Sequence, residues 1–135
     1  MTPDVVDDGR AEVNRVASVA ARAAAAKLGA DTLVLEVGQV LAITDVFVIT
    51  SGANVRQVRT IADEVETKVR DDSGRSPLRS EGLDDARWVL IDYGDFVVHV
   101  FIDEARRYYD LERLWSDAPR LPWDGEDQAL DAATS

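Results

Sequence analysis

Residues 87–102 read RWVLIDYGDFVVHVFI, two runs rich in β-branched and aromatic residues on either side of Gly94-Asp95. Two loop residues of this kind between β-prone runs favour a tight hairpin turn. The pairing that follows from such a turn sets Trp88 opposite Phe101. Because successive side chains of a strand point to opposite faces, the predicted hairpin has two faces of different character.

The two faces of the hairpin differ in polarity. One is almost wholly apolar and is predicted to face the core; it carries Val89, Ile91, Tyr93, Phe96, Val98, Val100 and Ile102. The other mixes large apolar groups with a carboxylate and an imidazole. Tryptophan and phenylalanine contribute much of the binding energy at protein interfaces, and the carboxylate suits pairing with a basic partner. The candidate partner-binding residues are therefore Trp88, Leu90, Asp92, His99 and Phe101.

A second interpretation of this mixed face stays open from alternation alone. Open α/β sheets are commonly covered on both sides. A helix of the same chain would then lie over the face, with Asp92 and His99 hydrogen-bonded within the fold. The two interpretations differ in whether Trp88 and Asp92 remain accessible to another macromolecule.

The rest of the chain predicts helices and strands that complete an α/β layer with a mixed sheet. Amphipathic spacing indicates helices, and short, nearly apolar runs indicate central strands. Asn54 is a predicted N-cap, with Gln57 reaching back to it, and Asp103 is the predicted cap of the last helix. The predicted order is helix 10–28, strands 32–37 and 45–50, helix 55–70, a loop over 71–86 with a short strand near Leu78, the hairpin, and helix 104–115.

Length and composition limit the classes of function. The chain has 135 residues, enough for one domain. Its 26 acidic and 15 basic residues give a net charge of −11, which argues against DNA binding through the backbone and suits a basic protein partner. The chain has no cysteine, so disulfides and thiolate metal sites are excluded. No apolar run has the length of a membrane span and the acidic start is not a signal peptide, so we expect a cytoplasmic protein.

The two ends of the chain are its most acidic parts. Residues 1–9 are predicted to be a flexible acidic N-terminus, and residues 118–135, which also contain Pro119 and Pro122, a flexible acidic tail. The domain between them is predicted to span residues 10–117.

Catalytic and metal sites find little support in the sequence. His99 is the only histidine, and without a second one or a cysteine no zinc site can be completed. Ser51-Gly52, at a strand-to-helix junction, resembles the Gly-Ser corner of nucleotidyltransferases, but that chemistry needs a metal-binding carboxylate pair on a following strand. Asp63-Glu64 lies in a predicted helix with the wrong spacing. We therefore predict no catalytic residue, no metal and no cofactor, and keep a residual nucleotidyltransferase as the alternative.

Three ordered blocks of the sequence resemble the ribosomal silencing factor family, also called Iojap-like. They are DVFVITSG at 45–52, EG at 81–82 followed by WVLIDYGDFVVHVF at 88–101, and YDLERLW at 109–115. The resemblance covers about residues 10–118.

This resemblance implies a nucleotidyltransferase-like α/β fold that has lost its catalytic carboxylates. It also implies binding to the large ribosomal subunit through ribosomal protein L-fourteen, on the surface that meets the small subunit. Such factors block subunit joining and lower translation when nutrients are scarce, without catalysing a reaction. Little direct contact with rRNA is expected, because the acidic chain would be repelled by it. Family members also form dimers, so the resemblance is consistent with a homodimer.

Overall fold

The computed structural model describes residues 3–38 and 43–124. These residues form one mixed α/β domain, as predicted. In chain order the elements are α1 (Pro3–Ala26), β1 (Ala30–Glu36), β2 (Val46–Gly52), α2 (Val55–Ser73), β3 (Arg79–Glu81), β4 (Trp88–Asp92), β5 (Phe96–Ile102), α3 (Asp103–Tyr109) and α4 (Leu111–Leu114).

The five strands form one sheet in the order β1-β2-β5-β4-β3. Strands β2 and β5 are parallel, and the other neighbours are antiparallel. The hairpin register is confirmed, because Trp88 pairs with Phe101 and the N–H of Tyr93 donates to the carbonyl of Phe96 at 2.9 Å. Gly94 has φ 93°, the left-handed conformation that this turn needs.

Helices α1 and α2 cover one face of the sheet and enclose the main core. The apolar face predicted for the hairpin points into this core, with Val89, Ile91, Phe96, Val98 and Val100 all fully buried. The alanines of α1 allow it to approach the sheet closely, and the buried stripe of α2 packs beside it; that stripe is Val58, Ile61, Ala62, Val65 and Val69.

The start of α2 follows the sequence prediction. The Asn54 side chain accepts a hydrogen bond from the N–H of Gln57 at 2.9 Å, and the Gln57 side-chain oxygen accepts one from the N–H of Ala53. The amide nitrogen of Gln57 also donates to the carbonyls of Lys27 and Leu28, just after α1. One side chain therefore fixes the beginning of α2 and ties it to the end of α1.

The last helix differs from the prediction of one helix over 104–115. Asp110 takes the left-handed conformation, with φ 50°, and separates α3 from α4. Asp103, the predicted cap, is instead the first residue of α3. The N-cap of α3 is Ile102, and no side chain makes a capping hydrogen bond there. The break turns the chain so that Leu111 and Trp115 pack on the outer face of the sheet.

The chain after α4 returns to the open edge of β1. The N–H of Glu36 donates to the carbonyl of Pro119, the N–H of Leu121 donates to the carbonyl of Val34, and both distances are 2.8 Å. The indole N–H of Trp123 reaches the carbonyl of Thr32 at 3.1 Å.

These contacts show that part of the C-terminal segment that was predicted to be flexible is hydrogen-bonded to the sheet. Residues 119–123, within the predicted flexible tail, are bonded to the sheet, because they supply partners to the backbone groups of β1. At the other end, α1 begins at Pro3 and not near residue 10. The remainder of the predicted tail, 125–135, lies outside the described residues, and the proposed domain limits stay a prediction.

Candidate functional site

The outer face of the sheet, opposite α1 and α2, is covered at one end and open at the other. Side chains from α3, α4 and the segment that follows close the covered end over a second apolar cluster, which includes Leu35, Ile49, Phe101, Ala105, Leu111 and Trp115. The open end lies at the beginning of β5 and the end of β4. The two interpretations of the mixed face therefore each hold for one part of it.

Phe101 lies in the covered part and is fully buried. The Trp88 ring stacks on it with centroids 5.0 Å apart, and Tyr109 of α3 packs on Trp88 at 4.7 Å. This corrects the expectation that Phe101 faces outward, because Trp88 and α3 lie between it and solvent. Phe101 therefore supports the indole of Trp88 from below and does not itself reach a partner.

His99 is also buried, with 5% of its surface exposed. Its Nδ1 accepts a hydrogen bond from the indole N–H of Trp88 at 3.1 Å, so the proton of the neutral ring lies on Nε2. Burial lowers the pKa of His99 to about 4, and the ring is therefore neutral near pH 7. This corrects the expectation of a direct contact residue, since Phe47 and Trp88 pack against the imidazole, little of it is exposed, and its observed hydrogen bond orients Trp88.

Trp88, Leu90 and Asp92 are half-buried and reach the surface along β4. One oxygen of Asp92 accepts from the N–H of Gly94 at 2.8 Å, and the other accepts from Nε of Arg79 at 3.3 Å. The Asp92 side chain keeps 21% exposure. These three residues thus present an indole, an aliphatic side chain and a carboxylate on one accessible strand.

An open depression of about 280 Å³ adjoins this strand. Ile43 and Leu78 stand at its margin with 82% and 74% of their surfaces exposed. The depression is lined by Ile43, Thr44, Phe47, Leu78, Arg79, Leu90, Asp92, Gly94, Val97 and His99. The sequence analysis did not identify Ile43 and Leu78 as members of this surface. The signal that could have found them is that each is a large apolar residue in a segment whose sequence has neither helical nor strand periodicity.

At the Ser51-Gly52 corner, the hydroxyl of Ser51 is already bonded to another side chain of this protein. Ser51 is 3% exposed, and its hydroxyl accepts a hydrogen bond from Nη1 of Arg106 at 3.1 Å. The same guanidinium donates to the carbonyls of Ala30 and Asp31 and pairs with Glu112 at 3.0 Å. A guanidinium with these partners joins β1, β2, α3 and α4 at the corner that resembles the Gly-Ser corner of nucleotidyltransferases.

Among residues 3–38 and 43–124, no three His, Asp or Glu side chains are grouped as a metal site would require. Within those same ranges, no helix is long and apolar enough to cross a membrane.

The sequence is similar to a known protein family and to several of its named members. Residues 10–135 match the family model described as ribosomal silencing factor during starvation. A protein named Ribosomal silencing factor RsfS from Bacillus subtilis is 42% identical over 104 residues, which cover 77% of this chain and 87% of that protein. A protein of the same name from Halalkalibacterium halodurans is 49% identical over 83 residues, or 62% of this chain and 70% of the relative.

A solved structure shares the fold. A crystal structure of a protein from Chromobacterium violaceum superimposes with a TM-score of 0.71 at 33% identity, covering 75% of this chain and 83% of that one. The mixed sheet with its helices is thus the architecture of a known structure, whereas the nucleotidyltransferase-like label stays a prediction. The match over most of the sequence and the agreement of fold lead to one conclusion: this chain belongs to the ribosomal silencing factor family.

Proposed function

We propose that this protein binds the large ribosomal subunit through ribosomal protein L-fourteen and thereby sterically blocks joining of the small subunit. Translation is repressed as a result, for example when nutrients are limiting. The protein acts in the cytoplasm by occupying a surface, and it catalyses no reaction.

The observation that carries this proposal is the accessible strand β4. Trp88 and Leu90 supply apolar area at its surface, and Asp92 adds a carboxylate between the turn and Arg79. A half-buried tryptophan that is already held by a hydrogen bond to His99 loses little conformational freedom on binding. Such pre-oriented aromatic residues are typical centres of protein interfaces.

The net charge of −11 supports the choice of a basic protein partner. An acidic protein is drawn toward a positively charged ribosomal protein and repelled by the phosphates of rRNA and of DNA. We therefore propose little direct contact with rRNA. We also propose that the protein can form a homodimer when it is not bound to the ribosome.

The nucleotidyltransferase alternative is disfavoured by the Ser51 corner. Arg106 already bonds the Ser51 hydroxyl, and Glu112 pairs with that guanidinium. A nucleotide phosphate at Ser51 would have to displace these contacts. Isothermal titration with Mg-ATP tests the alternative, and robust binding there would revive it.

The decisive experiment is co-sedimentation with purified large subunits. The double variant Trp88→Ala, Asp92→Ala is expected to lose binding, because it removes the indole and the carboxylate from β4. The double variant Thr60→Ala, Asp63→Ala on the exposed side of α2 serves as the control and is expected to bind like wild type. Circular dichroism of each variant verifies that the fold is retained.

Two outcomes would contradict the proposal. Undiminished sedimentation of the β4 variant would show that β4 is not the contact surface. A gradient in which added protein leaves the joining of small and large subunits unchanged would remove the proposed mechanism of repression.

A further inference from the structure

A small cleft lies beside Trp88, on the side of β4 that faces β3. It has a volume of about 270 Å³ and is lined by Glu81, Gly82, Trp88 and Leu90. Glu81 is paired in register with Leu90, so both side chains project from the outer face of the sheet together with Trp88. The cleft thus places a carboxylate, an aliphatic side chain and an indole around one opening.

The backbone that forms the cleft is closely packed. Gly82 has φ 87°, and a Cβ atom at this position would collide with the carbonyl oxygen of Trp88. Only glycine therefore lets the loop after β3 lie this close to the start of β4. As a consequence, Glu81 is held next to Trp88 by the path of the main chain.

The charges around the cleft leave an excess of negative charge. Arg79 pairs with Glu81 at 3.3 Å and with Asp92 at 3.3 Å, so one guanidinium serves two carboxylates. The Glu81 side chain is 59% exposed and retains access to solvent. A second cation can approach Glu81 without breaking a buried contact.

The indole adds an independent preference for a cation. The face of a tryptophan ring attracts cations, most often arginine, whose planar guanidinium stacks on the ring while its N–H groups bond a carboxylate. Phe101 and Tyr109 cover other parts of Trp88 and fix its orientation. The remaining indole surface lines the cleft with Glu81.

We propose that this cleft receives an arginine side chain of the protein partner, with the guanidinium against Trp88 and bonded to Glu81. This inference rests on the proposed function, because it names the group by which a basic ribosomal protein would be recognised. Glu81 thereby becomes a contact residue beyond those on β4, and the complex gains a charge contact at a defined position.

The test compares Glu81→Gln with Asp63→Asn in equilibrium binding to purified large subunits. Both changes remove one negative charge, but Asp63 lies on α2, away from the outer face. We expect Glu81→Gln to weaken binding about five- to tenfold, the size of one partly desolvated cation contact, and Asp63→Asn to have almost no effect. Raising the salt concentration is expected to reduce the difference between wild type and Glu81→Gln.

A competition experiment identifies the chemistry of the bound group. Excess N-acetylarginine amide is expected to inhibit binding of the wild type more than N-acetylcitrulline amide does, since citrulline has a similar shape but no charge. Glu81→Gln is expected to abolish this difference.

The results separate this inference from the proposed function. If Glu81→Gln binds like Asp63→Asn while the Trp88→Ala, Asp92→Ala variant has lost binding, the arginine cleft is refuted and the docking strand stands. If neither the cleft variant nor the β4 variant changes binding, both proposals fail. Equal inhibition by the two amides would also overturn the cleft, and cross-linking of Glu81 to rRNA in place of protein would do the same.

Discussion

His99 is buried next to Trp88, and its protonation state controls the hydrogen bond between them. Because Nδ1 accepts the indole N–H, protonation of Nδ1 would place two donors against each other. Burial makes the charged ring still less favourable and lowers its pKa from 6.5 to about 4. The indole at the proposed interface is thus oriented by a neutral histidine.

The low pKa of His99 predicts a pH-dependent stability. As pH falls, the unfolded chain takes up this proton near pH 6.5, whereas the folded protein takes it up only near pH 4. The stability that depends on a neutral His99 is fully present above about pH 6.5. The free energy of unfolding then decreases by about 3 kcal/mol as the pH falls toward 4. Denaturant unfolding of wild type and His99→Gln at several pH values measures it. Glutamine keeps an acceptor for Trp88, so the variant should show a flatter profile, and identical profiles would contradict the prediction.

Arg106 is the second buried side chain that decides local structure. Its guanidinium bonds Ser51, two carbonyls of the β1 region and Glu112. Arg106→Leu leaves these acceptors without a donor and is expected to reduce the free energy of unfolding by about 2–4 kcal/mol. Arg107→Leu, one residue further and exposed, should change it by less than about 0.5 kcal/mol. Thermal unfolding of both variants measures the difference, and equal losses would show that the buried bonds contribute little.

The loop between β3 and β4 is held in place by a glycine. Gly82 and Gly74 both have positive φ, at 87° and 71°, but a Cβ at Gly74 meets open space. Gly74→Ala should therefore reduce the free energy of unfolding only by the conformational strain, about 1 kcal/mol. Gly82→Ala adds a clash with the carbonyl of Trp88 and should reduce the free energy of unfolding by about 2–4 kcal/mol. Chemical denaturation gives both values. A similar loss in the two variants would mean that the loop shifts away from β4 without cost.

The sequence predicts elements well where local chemistry and packing agree. Gly94 and the alternation around it determine the register of the β4–β5 hairpin, and Asn54 with Gln57 determines the start of α2. The break at Asp110 has no comparable local signal, because the surrounding pattern also fits an uninterrupted helix. The break is accompanied by an ion pair between Arg106 and Glu112 and by packing of Leu111 and Trp115 on the outer face of the sheet.

The candidate site was predictable to the same extent. Alternation along β4 places Trp88, Leu90 and Asp92 on one face, and the structure keeps these three at the surface. Alternation cannot say what covers a neighbouring strand. His99 and Phe101 share that face but are buried. Phe101 is covered by Trp88 and by Tyr109 of α3, and His99 is covered by Phe47 and Trp88.

The segment from Pro119 to Trp123 completes the edge of the sheet in the whole molecule. Ending the chain after Ala118 removes its hydrogen bonds to β1 and the contacts of Leu121 and Trp123 with the core. We expect a loss of about 2–4 kcal/mol in the free energy of unfolding, together with concentration-dependent association through the open edge. Thermal unfolding and light scattering measure these effects.

The matched control ends the chain after Asp124 and removes only 125–135. This shorter truncation retains the segment along β1, so we expect it to be more stable than the longer truncation and not to associate through the edge of β1. If both truncations behave alike, the contacts of 119–123 do not protect the edge.

The strand order also has a consequence for synthesis. Strand β5 lies between β2 and β4, yet it follows both of them along the chain and so leaves the peptide exit tunnel after them. Until Phe96–Ile102 has emerged, β2 has no parallel neighbour and the apolar stripe of α2 has no complete sheet to cover. The sheet of the nascent protein can therefore be completed only after this late segment has joined β2 to β4.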